Sequence, residues 1–64
     1  MDREIVDEFL GKFCSVVRVD NGRDICSKGV ITKITESALL LDFHGGVQAI
    51  SLDTITNIRK EVDQ

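Results

Sequence analysis

The hydrophobic period of the chain changes at Gly11, and this change limits the folds that the sequence can adopt. Four apolar residues before it recur at helical spacing: Ile5, Val6, Phe9 and Leu10. Asp2 is a residue type that caps helices, and Gly11 is one that ends them. We therefore predict a helix over about residues 2–10, with the four apolar side chains packed on a sheet, because so short a helix needs tertiary packing.

After Gly11 the apolar residues alternate with a period of two, and turn residues divide the chain into five short strands. The predicted strands cover residues 12–19, 25–34, 38–43, 47–51 and 55–60. Asn21-Gly22 suits a tight hairpin, since both residues accept positive φ angles. Gly29 lies inside the second strand and permits a sharp bend there. The sequence thus predicts one mainly β domain over residues 1–64, in which a short helix precedes a strongly bent five-stranded barrel at about residues 12–60.

The small size of this domain favours self-association. A chain of 64 residues buries only about 60% of its unfolded surface, so its core is marginal and usually needs a further stabilising element. Cys14, Cys26 and the single His44 are too few for a structural zinc site. No signal peptide is present, so we predict a cytoplasmic protein with two buried, reduced thiols. Leu40 and Ile50 are expected to face outward, where another copy of the chain would cover them.

The charge distribution narrows the choice of partners. A net charge of −3 argues against binding to duplex DNA, which depends on phosphate neutralisation by Lys and Arg. Residues 12–60 nevertheless have a net charge of +2, because the acidic excess lies at the two ends of the chain. This leaves room for one positive face, although an ordinary mixed surface fits the same composition. No apolar stretch is long enough to cross a membrane, so no membrane association is predicted.

The residue types present give little basis for catalysis. His44 is the only imidazole, and no nucleophile accompanies it in a recognisable pattern. Gly45-Gly46 lacks the Lys-Ser/Thr signature of a phosphate-binding loop and is expected to be a hairpin turn. The sequence therefore predicts no enzyme, no catalytic residue, no metal site and no cofactor.

Most of the chain resembles the Sm-like proteins of the LSm and Hfq kind. The resemblance is carried by VRVDNG at 17–22, by GVI at 29–31 with ALLL at 38–41, and by ISLDTITNI at 50–58. It implies a helix followed by five bent strands, and a ring in which strand four of one copy pairs with strand five of the next. It also implies a regulatory function in binding single-stranded RNA.

The RNA pocket of that family is missing here. Its Asp, aromatic and Asn positions are occupied by Thr35, Ser37 and Leu39, and its second motif falls on Ser51-Leu52-Asp53. Gly22 and Gly29 are also seven residues apart, whereas the family has five. RNA binding would therefore need other residues. The stacking candidates are Phe13, Phe43, His44 and the guanidinium groups of Arg18, Arg23 and Arg59, with Phe13 expected to lie in the core.

Two sets of site residues follow from this interpretation. The predicted RNA-binding residues are Arg18, Arg23, Lys28, Lys33, His44 and Arg59. The predicted oligomer interface consists of Leu40, Val47, Ala49, Ile50, Thr56 and Ile58. An alternative is a protein-binding module without RNA binding, in which the acidic helix or a free strand edge binds a regulatory protein. Residues 52–56 are similar to part of the Sm-like Rho-binding antiterminators, which supports that alternative.

Overall fold

A five-stranded antiparallel sheet follows a short helix in the computed structural model, which describes residues 1–61. The helix α1 covers Arg3–Asp7. The strands are β1 (Phe13–Asp20), β2 (Arg23–Ile34), β3 (Ala38–Phe43), β4 (Gly46–Ser51) and β5 (Ile55–Lys60), with a 3₁₀ turn at Leu52–Thr54. The prediction of a mainly β chain with five strands is confirmed, and β3 and β5 have the predicted bounds. Residues 62–64, the end of the predicted domain, lie outside the described residues.

The helix is shorter than predicted and packs fewer side chains. It ends at Asp7, because the chain then turns towards β2. There the Gly11 amide donates a hydrogen bond to the Ile31 carbonyl oxygen at 2.7 Å. Val6 is fully buried, and Phe9 packs partly against the core. The prediction that Ile5 and Leu10 also pack on the sheet is wrong, since both side chains are 50% exposed. Gly11 has the positive φ expected of a residue that ends helical turns.

Two tight turns confirm the predicted hairpins. Asn21 and Gly22 have φ angles of 52° and 76°, and His44 and Gly45 have 53° and 82°. Positive φ at both central positions is the conformation whose twist matches the flanking strands. The first turn joins β1 to β2, and the second joins β3 to β4.

The sheet is open, so the predicted closed barrel is wrong. Its strand order is β4-β3-β2-β1-β5, which leaves β4 and β5 as the two edges of the described sheet. Each pair of neighbouring strands is antiparallel, so β4 and β5 run in the same direction in the sheet. Parallel pairing needs a crossover of about a dozen residues or more, whereas only Leu52–Thr54 separates these two strands. The chain itself therefore has no means of joining its two edges.

The apolar core lies on one face of the bent sheet, which we call the inner face. Its buried residues are Val6, Cys14, Val16, Ile31, Leu39, Leu41, Ile50, Leu52, Ile55 and Ile58. Gly29 is buried within β2, and the register of β2 against β3 shifts between Ile31 and Lys33. Ile50 is fully buried, so the prediction that it faces outward is wrong.

The two cysteines lie on opposite faces of the sheet. Cys14 is fully buried on the inner face, whereas Cys26 is exposed. Cys26 pairs with Val17, and side chains alternate between faces, so Cys26 shares the opposite, outer face with Val17 and Ser15. The prediction of two buried thiols is therefore wrong for Cys26. No helix within residues 1–61 is long and apolar enough to span a membrane.

Candidate nucleic-acid interface

Two cationic side chains flank Ser15 on the outer face. Ser15 pairs with Lys28 on β2 and with Arg59 on β5, so the three residues form one row across three strands. Two strand spacings separate the backbones of the cations by about 10 Å. Ser15 is only 3% exposed, while both cations are exposed, and we call this arrangement the Lys28–Arg59 row.

The charges of this row are only partly compensated within the described chain. Glu61 lies 3.5 Å from the Arg59 Nε, measured to its Oε2, and this ion pair holds the Arg59 side chain at the end of β5. The Arg59 side chain is 73% exposed in this pair, so solvent screens the interaction and the guanidinium stays accessible. Lys28 makes no ion pair with any residue from 1 to 61.

Three aromatic rings form a second group beside this row. The ring centroids of Phe13 and Phe43 are 6.3 Å apart, and those of Phe43 and His44 are 4.1 Å apart. The register brings them together, because Phe13 pairs with Val30, and Val30 pairs with Asp42, the residue before Phe43. We call this group the aromatic cluster.

The rings of the aromatic cluster remain open to solvent. Phe43 is 49% exposed, His44 is exposed and Phe13 is half-buried. The expectation that Phe13 is a core residue is wrong, because the alternation along β1 places it with Ser15, away from the inner-face residues Cys14 and Val16. The signal that identifies Phe13 as a surface residue is therefore this alternation.

The aromatic cluster adjoins the Lys28–Arg59 row through Phe13, which lies on the outer face, whereas alternation along β3 places Phe43 on the same face as the buried Leu39 and Leu41. Phe13 and Ser15 are two positions apart on β1, which is a distance of about 7 Å. Proteins that bind single-stranded nucleic acids combine exposed rings, on which bases stack, with cations that contact the phosphates. The aromatic cluster and the Lys28–Arg59 row present both within the span of a few nucleotides.

Only half of the predicted RNA-binding residues come together at this site. Lys28, Arg59 and His44 lie in or beside the two groups. Arg18 pairs with Ile25 and Ile55 on the inner face, and its buried Nε has no hydrogen-bond partner among the described residues.

The other two predicted cations lie apart from this site. Arg23 pairs with Asp20 next to the first turn, at the far end of β1 from Phe13. Lys33 lies beyond the register shift, where it pairs with Leu40. The sequence alone does not locate that shift. The face on which Lys33 lies therefore cannot be deduced by alternation from Lys28.

The predicted oligomer interface is divided by burial. Val47 is 61% exposed, Ala49 and Thr56 are exposed, and Leu40 is half-buried. The other two predicted interface residues pack in the core of the chain itself, where Ile50 is fully buried and Ile58 is 8% exposed. Only the backbone of these two residues is free to take part in pairing at the edges.

Cys14, a residue whose pKa is clearly shifted, lies in the core and not among the residues of this site. Burial raises the pKa of the Cys14 thiol, while the nearby charges of Lys12 and Lys60 oppose that shift. Cys14 also donates a hydrogen bond to the Lys12 carbonyl oxygen at 3.4 Å. Within residues 1–61, no group of three or more His, Cys, Asp or Glu side chains is placed to hold a metal ion.

Comparison with family models, curated proteins and solved structures finds no match to this chain. The functional interpretation therefore depends on the residues of the outer face and on the free strand edges.

Proposed function

We propose that this protein is an Sm-like homo-oligomer that binds single-stranded RNA through the aromatic cluster and the Lys28–Arg59 row in a regulatory function. The observation that supports RNA binding is the position of the aromatic cluster beside the Lys28–Arg59 row. Bases would stack on Phe43 and His44, and phosphates would contact Lys28 and Arg59. Such a site tolerates different sequences, because every base has a flat face on which to stack.

The free edges of β4 and β5 support the oligomeric part of this proposal. Each edge is six residues long and contains no proline, and exposed edges of this kind tend to pair with other strands. Pairing of β4 with β5 of another copy would use both edges and form a ring. Repeating the site around a ring would raise the affinity for a long RNA, since binding at the second and later sites is intramolecular.

The proposed RNA site differs from the loop pocket implied by the family resemblance. At the position of the pocket's acidic residue, the Thr35 hydroxyl is used inside the turn between β2 and β3. Its Oγ1 accepts a hydrogen bond from the Ala38 amide at 3.0 Å and lies 3.1 Å from the Ala38 carbonyl oxygen. The turn is thus closed by a residue with no charge or ring to offer a base, and the outer face supplies those groups instead.

Fluorescence anisotropy with a labelled mixed-sequence single-stranded RNA tests the proposal. Phe43→Ala should weaken binding by about 5- to 150-fold, the equivalent of about 1–3 kcal/mol for one stacked base. The double variant Lys28→Ala/Arg59→Ala should also lower the slope of log affinity against log salt by about 1.4.

The matched control for charge is Arg23→Ala/Lys33→Ala, which removes two cations outside the site. It should keep a slope closer to that of the wild type. Equal losses of RNA affinity in the two double variants would show that positive charge anywhere on the protein attracts the RNA, and that the Lys28–Arg59 row is not a specific site. A wild-type protein that does not shift the RNA at all would refute the proposal.

A protein-binding module is the second candidate function, and one observation favours it. Ile5 and Leu10 are each 50% exposed beside Glu4, Asp7 and Glu8, so α1 and the turn after it present an acidic surface with apolar residues. Such a surface suits a partner with basic and apolar groups. A 1:1 complex with a protein that is lost in Ile5→Asp/Leu10→Asp, together with no RNA shift, would favour this function.

A further inference from the structure

Arg18 is a charged residue on the apolar inner face. Alternation along β1 places it with the buried Cys14 and Val16. It pairs with Ile25 on β2 and with Ile55 on β5. Its Nε is fully buried and has no hydrogen-bond partner among the described residues. A buried donor without an acceptor is destabilising, and more so when the group carries a charge, so this position favours an acceptor from another molecule.

A β-bulge keeps a side-chain acceptor away from Arg18. The register of β1 against β5 shifts between Val17 and Arg18. Arg18 consequently pairs with Ile55, and Thr56 is left without a partner on β1. The Thr56 hydroxyl instead donates to the Val17 carbonyl oxygen at 3.4 Å. The bulge thus places an isoleucine opposite Arg18 where an unshifted register would place a hydroxyl, and bulges are over-represented next to active sites.

Two further charged residues lie on the same face towards the first turn. Asp20 is two positions along β1 from Arg18, and it pairs with Arg23 on β2. Arg23 is the diagonal neighbour of Arg18 across the hairpin, at a Cα separation of about 7–8 Å. None of the three residues forms an ion pair within the described part of the chain. Two guanidinium groups and one carboxylate therefore give this end of the inner face a net positive charge.

We infer that Arg18 binds a carboxylate group of another molecule, with Arg23 as a second contact. We call these two residues the inner anion site. A guanidinium offers parallel N–H donors in one plane, which match the two oxygens of a carboxylate. The site lies on the opposite face from the Lys28–Arg59 row, so it goes beyond the proposed RNA site.

The surroundings of Arg18 select among anions. The isoleucines that pair with it on both sides suit a carboxylate attached to an apolar group. Asp20 lies on the same face and repels a doubly charged phosphate more strongly than a singly charged carboxylate. The ligand class is therefore a carboxylate with an apolar neighbour, which either a free acid or an acidic side chain of a partner protein provides.

Urea denaturation tests whether Arg18 lacks an acceptor within the chain. Arg18→Met keeps a long unbranched side chain and removes the unsatisfied charge, so it should raise the midpoint by about 0.5–1 M. Arg3→Met removes a half-exposed arginine of α1 and is the matched control, with an expected change of about 0.3 M or less. A midpoint of Arg18→Met at or below that of the wild type would mean that the chain satisfies this guanidinium, and would overturn the inference.

NMR of the four arginine Nε–H groups tests carboxylate binding. Sodium butyrate, exchanged for sodium chloride at constant ionic strength, should move the Arg18 signal along a saturating curve, while the Arg3 and Arg59 signals move little. Acetate should bind about threefold or more weakly than butyrate, because it has less apolar surface to bury. Tighter binding of phosphate than of butyrate would overturn the carboxylate assignment, and equal shifts of all four signals would overturn the site.

Variants and a peptide complete the test. In Arg18→Met the backbone amide of Ile25 should no longer respond to butyrate, and Arg23→Met should weaken binding about 3- to 10-fold. Lys33→Met removes an exposed cation outside the site and should bind butyrate like the wild type. An equal response of Arg18→Met and the wild type would overturn the inference. The peptide acetyl-Leu-Glu-Leu-amide distinguishes the sources: tighter binding than butyrate indicates an acidic side chain of a partner protein, and weaker binding indicates a free acid.

Discussion

A Cβ atom on Gly29 would lie 2.6 Å from the carbonyl oxygen of Asp42 and 3.0 Å from the Leu41 Cγ. Real side chains essentially never approach a backbone oxygen so closely, so glycine is required where β2 crosses β3. Glycine is thus required at position 29 because it has no side chain. Its φ angle is not positive, so the backbone conformation is not the reason.

Gly29→Ala should therefore destabilise the protein by about 1–3 kcal/mol, the usual cost of forcing extra atoms into a packed site. The free energy of unfolding, measured by urea denaturation, gives the comparison. Gly46→Ala is the matched control, because the nearest contact of its Cβ would be 3.5 Å, an ordinary van der Waals distance. We expect the control to change stability by no more than about 0.5 kcal/mol. Equal stabilities of the two variants would contradict the close approach.

Local sequence patterns predict the strands well because their causes are local. Asn21-Gly22 and His44-Gly45 fix the two hairpins through positive φ angles, and β3 and β5 begin and end at the predicted residues. Closure of the barrel was a wrong prediction because it depends on strand direction across the whole sheet. The direction could have been counted from the chain order, and the short Leu52–Thr54 connection then excludes pairing of β4 with β5.

The candidate site was only partly predictable, for reasons of register. Alternation along β1 is sufficient to place Phe13 and Ser15 on one face, and the hairpin at Asn21-Gly22 then places Lys28 opposite Ser15. The proximity of Phe43 to Phe13 depends on the pairing of β2 with both β1 and β3. No pattern in the sequence gives the position of the register shift that follows.

The neighbouring residues Val6 and Ile5 should respond differently to truncation. Val6 is fully buried in the core, whereas Ile5 is 50% exposed on the same short helix. Val6→Ala should cost about 2 kcal/mol of unfolding free energy, since it removes buried methyl groups. Ile5→Ala should change that free energy by about 0.5 kcal/mol or less. Chemical denaturation of the two variants measures both values, and a larger loss for Ile5→Ala would mean that α1 packs in a different orientation.

Cys26 provides a built-in probe of the proposed RNA site. It is exposed on the outer face, and its Sγ lies 3.5 Å from the Oγ of Ser15, the residue between the two cations of the row. A thiol reagent should label Cys26 in the folded protein and leave buried Cys14 unmodified, while both should react in urea. Saturating single-stranded RNA should slow the labelling of Cys26.

The labelling experiment has its control in the Lys28→Ala/Arg59→Ala variant, in which RNA should give less protection. Rapid labelling of Cys14 in the native protein would contradict its burial. Protection that is equal in this variant and in the wild type would separate Cys26 from the RNA site.

Burial of Cys14 should make stability depend on pH in the alkaline range. The core raises the pKa of this thiol above its ordinary value of 9.0, because the charged thiolate loses its hydration there. The unfolded chain then loses its proton at a lower pH than the folded chain. The stabilisation associated with the neutral thiol is fully present below pH 9.0 and is lost as the pH rises through the higher pKa of the folded state.

Cys14→Ala removes this thiol and isolates its contribution. The variant is expected to be less stable than the wild type at pH 7, because it leaves a small cavity in the core. The difference between the two proteins should then shrink as the pH rises above 9.0, by at most about 1.4 kcal/mol per pH unit for a single group. Urea denaturation at a series of pH values from 7 to 10, in the presence of a reductant, measures this difference. A constant difference over the whole range would mean that the Cys14 thiol has the same pKa in the folded and unfolded chains.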